Sequence, residues 1–398
     1  MKKLTAYILV LTLLLCGCAT HTDQPETTQA PELPSQTVPT EAAPAETAPC
    51  TEETVSCVSE TIFSGEVSLI DKMTVEEKVG QLFLARCPDS GALEDIAAYH
   101  LGGFVLFGRD FELEDRDSVT EKIFQYQSVA NIPMLIAVDE EGGTVTRVSR
   151  YSQFRPSKFA SPRELYAQGG LELIVQTEEE KCTLLKSLGI NVNLAPVCDV
   201  TTDPDAFMYS RSLGESPEIT GQFIAMVTKT MDTYQLGGVL KHFPGYGNNT
   251  DTHTGIAVDD RTLEELESVD LVPFAAGIEA GCQAIMVSHT FVNCLDRDYP
   301  ASLSLIVHDY LRSQMGFNGV IVTDDLVMQA ITDQYGAGEA AVLAVLAGND
   351  LLCSTDYKTQ YNAVLDAVQS GRIPEKLLDD AVKRVLEWKQ KLGLLQEN

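Results

Sequence analysis

The sequence predicts an α/β protein built on a single (β/α)8, TIM-like barrel. Three observations carry that reading. From about Glu66 onward, short apolar runs alternate with longer amphipathic stretches. The runs are apolar almost throughout, as expected when both faces of a parallel strand are covered. Polar residues able to do chemistry fall just beyond the ends of the runs, where a barrel carries its function.

The N-terminus comes first. Lys2 and Lys3 precede an apolar run, Leu4 to Leu15, too short to span a bilayer and suited to a signal peptide. The run ends in Leu15-Cys16-Gly17-Cys18, which resembles a bacterial lipobox. That resemblance implies cleavage after residue 17 and lipid on the Cys18 sulfur, as palmitate or similar acyl chains. Two or more such chains would anchor the protein stably, on the extracellular face of the cell membrane. The alternative is plain secretion. Residues 18–65 are rich in Thr, Pro, Glu, Ala and Ser and have no Lys or Arg. Such a segment buries too little apolar surface to offset its ordering entropy, so it is expected to be a disordered stalk. It would reach roughly 40 Å as a coil and up to about 140 Å when extended. Cys50 and Cys57 within it close a small disulfide loop or remain free thiols. Residues 66–398 are assigned to the barrel.

Eight candidate strands follow: Gly80–Ala85, Phe104–Phe107, Met134–Val138, Asn191–Pro196, Gly238–Lys241, Ala284–Ser288, Val320–Thr323 and Asp350–Cys353. Between them lie amphipathic segments at Leu113–Ala130, Leu171–Leu188, Pro217–Tyr234, Leu263–Ala280 and Gly338–Ala347, and a last helix at Pro374–Leu392. Thr74-Val75-Glu76-Glu77 reads as a capping box. A doubly wound nucleotide-binding sheet is the competing architecture. It would need a glycine-rich turn after the first strand, and none occurs there.

Charge and composition narrow the function. Lys and Arg number 28 against 58 Asp and Glu, a formal net charge of −30. That excludes ordinary nucleic-acid binding and charge-driven docking on anionic lipid. No Cys-x-x-Cys or His/Cys cluster suggests a metal, and no cofactor is implied. The scattered cysteines read as buried thiols.

The strand ends carry the candidate site. The third strand runs into Asp139-Glu140-Glu141, and the fourth into Pro196-Val197-Cys198-Asp199 with Arg211 beyond. The fifth ends in Lys241-His242-Phe243-Pro244-Gly245, followed by Asp251-Thr252-His253. The sixth ends in Ser288-His289 and the seventh in Thr323-Asp324-Asp325. Of 6 His in the chain, His242, His253 and His289 fall here. Carboxylates, cations and imidazoles on one rim suit polyol recognition and acid/base work. Strand alternation allows only one of Asp324 and Asp325 to face the site, and does not say which. The consecutive Lys241 and His242 reach one ligand only if the backbone is distorted, for example by a cis peptide.

Lys241-His242-Phe243-Pro244-Gly245 with Asp251-Thr252-His253 resembles the signature of glycoside hydrolase family 3, in its bacterial β-N-acetylglucosaminidase (β-hexosaminidase) branch. Met73–Phe83, Gly102–Arg109, Asp139–Arg147, Asn193–Asp199, Arg211–Gly214 and Thr323–Leu326 agree, so the likeness spans about Leu69 to Leu394. It implies a retaining, exo-acting glycosidase, active as a monomer on N-acetylglucosamine-containing carbohydrate from peptidoglycan or chitin-like glycans. By the same resemblance Asp324 is the nucleophile and His253 the acid/base, with Asp251 orienting the imidazole. Asp139, Arg211, Lys241 and His242 are implied to bind the sugar. Departures are Tyr246 and Thr252, where the family usually has His and Ser, and Glu140 in place of Gln. Tyr246 is expected to alter the acceptor side, and Glu140 to add charge at the rim. A phosphorylase using the same residues and an inactive sugar-binding lipoprotein are the alternatives.

Overall fold

The computed structural model describes residues 69–247 and 257–395. The leader, Cys18, the stalk with Cys50 and Cys57, and the Asp251–His253 pair lie outside the described residues. Eight parallel strands form the barrel wall: β1 (Phe83–Arg86), β2 (Gly103–Leu106), β3 (Leu135–Val138), β4 (Val192–Asn193), β5 (Gly237–Phe243), β7 (Ala284–Val287), β9 (Val320–Thr323) and β10 (Leu352–Ser354). Two further strands, β6 (Val258–Asp259) and β8 (Phe291–Val292), pair with each other at the rim. The sheet order is β10-β1-β2-β3-β4-β5-β7-β9, and a parallel bridge between Val322 and Leu351 joins the last strand to the first. The expected barrel is therefore present.

Alternation along each strand builds two separate cores. Leu84, Val105, Ala137, Val239, Met286 and Val322 fill the lumen together with Cys353. Phe104, Ile136, Leu240, Ile285 and Ile321 point outward into the core beneath the helices. Both faces are buried, which is why the strands read as unbroken apolar runs. Trp388 stoppers the N-terminal mouth, packed so closely on Gly237 that a Cβ there would lie 2.8 Å from its ring. Truncating such a fully buried indole would cost about 3–5 kcal/mol.

Several boundaries differ from expectation. Gly80 lies in the helix Val75–Gln81, whose Thr74–Glu77 capping box is formed, so β1 starts only at Phe83. The helix expected at Leu171–Leu188 begins at Pro162, capped by Ser161, and is broken at Gly169 and Gly170. Leu263–Ala280 is two helices, Leu263–Ser268 and Leu271–Glu279, parted at Val269 and Asp270. Helices Ala92–Tyr99 and Tyr357–Gln369 complete the outer layer and were not anticipated.

Candidate active site

The lumen register, carried one step past the strand ends, selects the polar residues. Leu135 and Ala137 face the lumen, so Asp139 does as well; Val239 is followed by Lys241; Val320 and Val322 are followed by Asp324. Asp324 N donates to Val287 O at 3.1 Å, which extends the β7–β9 ladder by one residue. The neighbouring Asp325 faces the other way. Its Oδ1 accepts from Val327 N at 3.2 Å and Thr355 N at 3.1 Å, and its Oδ2 from Thr355 Oγ1. It is a carboxylate that pins the loops after β9 and β10. Alternation thus resolves the Asp324/Asp325 choice once the lumen-facing residues are known.

The Cys353 thiol lies at the top of the lumen. Burial pushes its pKa well up, the nearby carboxylates Asp325, Asp324 and Asp139 push it further, and Lys241 opposes them.

Four charged side chains interlock there. Lys241 Nζ donates to Asp139 Oδ1 at 2.8 Å and sits 2.6 Å from Glu141 Oε1. Arg211 grips Glu141 with both prongs, Nε to Oε2 at 2.9 Å and Nη2 to Oε1 at 2.7 Å. Arg147 approaches Asp139 from outside at 3.5 Å. Burial alone would raise the Glu141 pKa, but Lys241 and Arg211 outweigh it and hold the carboxyl well below its usual range. Burial likewise opposes the charge on Lys241, and Asp139 and Glu141 more than restore it. Two cations and two carboxylates leave the innermost set formally neutral. That balance suits an uncharged polyol, which needs aligned donors and acceptors and no net field.

His242 joins the set through the backbone. The Lys241–His242 peptide is cis, and both side chains lie in the one cluster. His242 Nδ1 is 2.8 Å from Asp199 Oδ2, and its Nε2 is 3.3 Å from Arg211 Nη2. A carboxylate only accepts and a guanidinium only donates, so Nδ1 carries the proton and Nε2 is bare. Asp199 also accepts from the backbone N–H groups of His242 and Tyr246, at 3.2 and 2.8 Å. The structure thus brings together Asp139, Arg211, Lys241 and His242, and Asp324 follows β9 on the lumen-facing parity.

The sequence placed Glu141 and Asp199 at the strand ends but gave them no role; the structure puts both in the cluster. The signal for Glu141 was available, because it shares the parity of Asp139 two residues earlier. One expectation is corrected. Glu140 adds no charge at the rim: it is fully buried on the opposite parity, where its carboxylate accepts from Arg147 N at 2.8 Å, Val148 N at 2.7 Å and Ser149 Oγ. Tyr246 is buried beside the cluster. It is 1% exposed and packs edge-on against His242, 5.2 Å between centroids, and tilted against Phe207. His289 is buried, with Nδ1 2.7 Å from Ser302 Oγ and Nε2 3.1 Å from Asp325 O, so it braces the loop behind the site. Among the described residues, no group of three or more His, Cys, Asp or Glu is placed to hold a metal ion.

Comparison with known proteins agrees with this geometry. The family model described as "Glycosyl hydrolase family 3 N terminal domain" matches residues 74–388. Beta-hexosaminidase LpqI of Mycobacterium tuberculosis is 31% identical over 330 residues, covering 80% of this chain and 83% of its own. A beta-hexosaminidase of Stenotrophomonas maltophilia is 34% identical over 258 residues, covering 63% and 75%. Among solved structures, a family 3 beta-N-acetylglucosaminidase from Paenibacillus superposes with a TM-score of 0.76 at 33% identity, over 82% of this chain. The present chain spans only 64% of that protein's length. The M. tuberculosis LpqI structure gives a TM-score of 0.75 at 27% identity, covering 82% of this chain and 96% of its own. With the sequence match, the eight-stranded barrel and the charged cluster at its mouth in hand, the chain belongs to glycosyl hydrolase family 3 and is a glycoside hydrolase.

Proposed function

We propose that the protein is a retaining, exo-acting β-N-acetylglucosaminidase. The observation that carries this reading is the neutral cluster of Asp139, Glu141, Lys241, Arg211 and His242 with Asp324 on the same lumen parity. The β-hexosaminidase names of the relatives support the N-acetylhexosamine specificity. Asp139 offers acceptors and Lys241 donors to the hydroxyls of a terminal sugar, while Arg211 and His242 flank them. Asp324 attacks the anomeric carbon as the glycosidic C–O bond breaks, forming a glycosyl-aspartate. His253, oriented by Asp251, gives its proton to the departing oxygen. It then takes one from the water that releases the sugar. Imidazole suits both steps, since its ordinary pKa lies near neutrality. The substrates are peptidoglycan-derived or chitin-like glycans. In the same reading Cys18 carries a lipid anchor, the stalk spans part of the envelope, and the monomeric barrel works at the outer face of the membrane.

The test is hydrolysis of an aryl β-N-acetylglucosaminide, with and without phosphate. Turnover independent of phosphate is expected, and dependence on phosphate would make the protein a phosphorylase. Asp324→Asn should lose at least about a thousandfold in kcat. Trapping with a 5-fluoro glycosyl donor should modify Asp324; modification of Asp325 would overturn the assignment.

A further inference from the structure

Three guanidinium groups gather at one side of the barrel mouth, in a chain whose net charge is −30. Arg86 ends β1, two residues after the lumen-facing Leu84 and in register with the lumen-facing Val105, so it stands on the lumen parity. Phe107, two residues after Val105, packs on the lumen core. Arg86 Cζ lies over the Phe107 ring, 4.5 Å from its centroid, and Arg147 Cζ lies over the same ring at 5.6 Å. Arg150 Cζ lies 5.7 Å from the centroid of Tyr151. A Cβ on Gly108 would lie 3.2 Å from the Tyr151 hydroxyl and 3.7 Å from Arg150 Nη1. Gly108 follows Phe107 in the chain, so the three cations border one short stretch of the loop after β2.

These cations are short of acceptors. Among the described residues the Arg86 side chain makes no hydrogen bond and no ion pair, and its Nε is buried. Arg147 Nε is buried and unpaired as well, and Arg147 Nη2 reaches only Asp139 Oδ2, at 3.5 Å. The neighbouring carboxylates are engaged elsewhere. Asp110 Oδ2 accepts from Phe107 N at 2.7 Å, Asp89 pairs with Arg109, and Asp139 Oδ1 is held by Lys241 at 2.8 Å. A buried guanidinium nitrogen with no acceptor costs free energy until one is supplied. Phe107 gives both forks a flat support that orients them without neutralising them. An oxyanion can accept from two such forks at once.

We propose that Arg86 and Arg147, supported on Phe107, bind an oxyanion carried by the glycan substrate, a carboxylate or a phosphate ester. The proposal rests on the β-N-acetylglucosaminidase reading of the cluster and narrows it: the enzyme prefers acidic amino-sugar glycans to neutral ones. Asp139 joins the two sites, since its Oδ1 faces Lys241 and its Oδ2 faces Arg147. Arg86 is a specificity-determining residue beside the neutral set that holds the sugar hydroxyls.

The experiment compares kcat/KM on the full chain for acidic and neutral versions of one substrate, so that any general loss of activity cancels in the ratio. One pair is an aryl β-N-acetylglucosaminide with and without a phosphate ester on the primary hydroxyl of the sugar. The other is N,N′-diacetylchitobiose bearing a carboxymethyl or a carboxamidomethyl ether on its second sugar. In wild type the acidic member of at least one pair should be favoured about ten- to a hundredfold, and the pair that responds identifies the sugar that bears the charge. Added salt should shrink the ratio. Arg86→Met should bring it near one, and Arg86→Lys should keep part of it. Arg86→Gln repeats the test if the Met variant does not fold. A ratio near one for both pairs in wild type, or a ratio that Arg86→Met leaves unchanged, would overturn the proposal. Acceleration by inorganic phosphate that is lost in Arg86→Met would assign the site to a free co-substrate and overturn it too. Absence of turnover on every substrate would instead sink the β-N-acetylglucosaminidase reading. Calorimetry with inorganic phosphate then decides the anion site: binding that is lost in Arg86→Met upholds it, and no binding in wild type overturns it.

Discussion

Lys241 and Lys389 are both fully buried, one at each end of the barrel, and their environments push them in opposite directions. At the C-terminal mouth, Asp139 and Glu141 outweigh desolvation and raise the Lys241 pKa. At the N-terminal end, Lys389 Nζ has Gln81 Oε1 at 2.6 Å, and burial pulls its pKa down to about 7. The same side chain is therefore a secured cation above the lumen and a partly neutral amine below it. Burial alone does not decide charge; the partners that accompany the group into the interior do.

Substitution at Lys241 tests the comparison most severely. Lys241→Met leaves Asp139 and Glu141 short of a buried counter-charge. Activity should fall about a hundredfold or more, and stability by about 3–5 kcal/mol in denaturant unfolding. Glu141→Gln should cost somewhat less stability, about 3 kcal/mol near neutral pH, because Asp139 still holds Lys241. Its pH dependence has a definite sign. The folded-state pKa of Glu141 lies below its unfolded value, so its contribution is complete above the ordinary carboxylate range. That contribution disappears as pH falls through and below it. Wild type should thus lose stability on acidification, and Glu141→Gln should lose less.

The smallest effect is expected below the lumen and has the opposite sign. Because the folded-state pKa of Lys389 is lowered, its penalty is absent well above the ordinary lysine range. It grows as pH falls toward about 7 and is constant below that. Lys389→Met should raise stability by about 1 kcal/mol near neutral pH, after the lost bond to Gln81, and the gain should shrink toward alkaline pH. If Lys389→Met destabilises as strongly as Lys241→Met, the contrast between the two lysines fails.

Much of the site was legible because a barrel strand obeys a period of two. Counting from Ala137 leads to Asp139 and counting from Val239 leads to Lys241. The consecutive Lys241-His242 pair demanded an unusual peptide, and the peptide is cis. The same counting, applied one step further, would have chosen Glu141 over Glu140 as the rim carboxylate. Asp199 was visible as a strand-end acid, but its partner was not. Its bond to His242 spans 43 residues of sequence. The surroundings of Tyr246 were not legible, because its neighbours Val197, Met208 and Phe207 come from other stretches of the chain. The division at Val269 and Asp270 was hidden because apolar spacing continues across it; only the Arg261 contact explains the acid placed there.

The packed lumen has a consequence for how a glycan meets this enzyme. Leu84, Val105, Val239 and Val322 fill the interior down to Trp388, so the rim has a floor and no exit beneath it. A saccharide that enters must leave by the way it came. Threading of a polymer through the barrel is sterically closed.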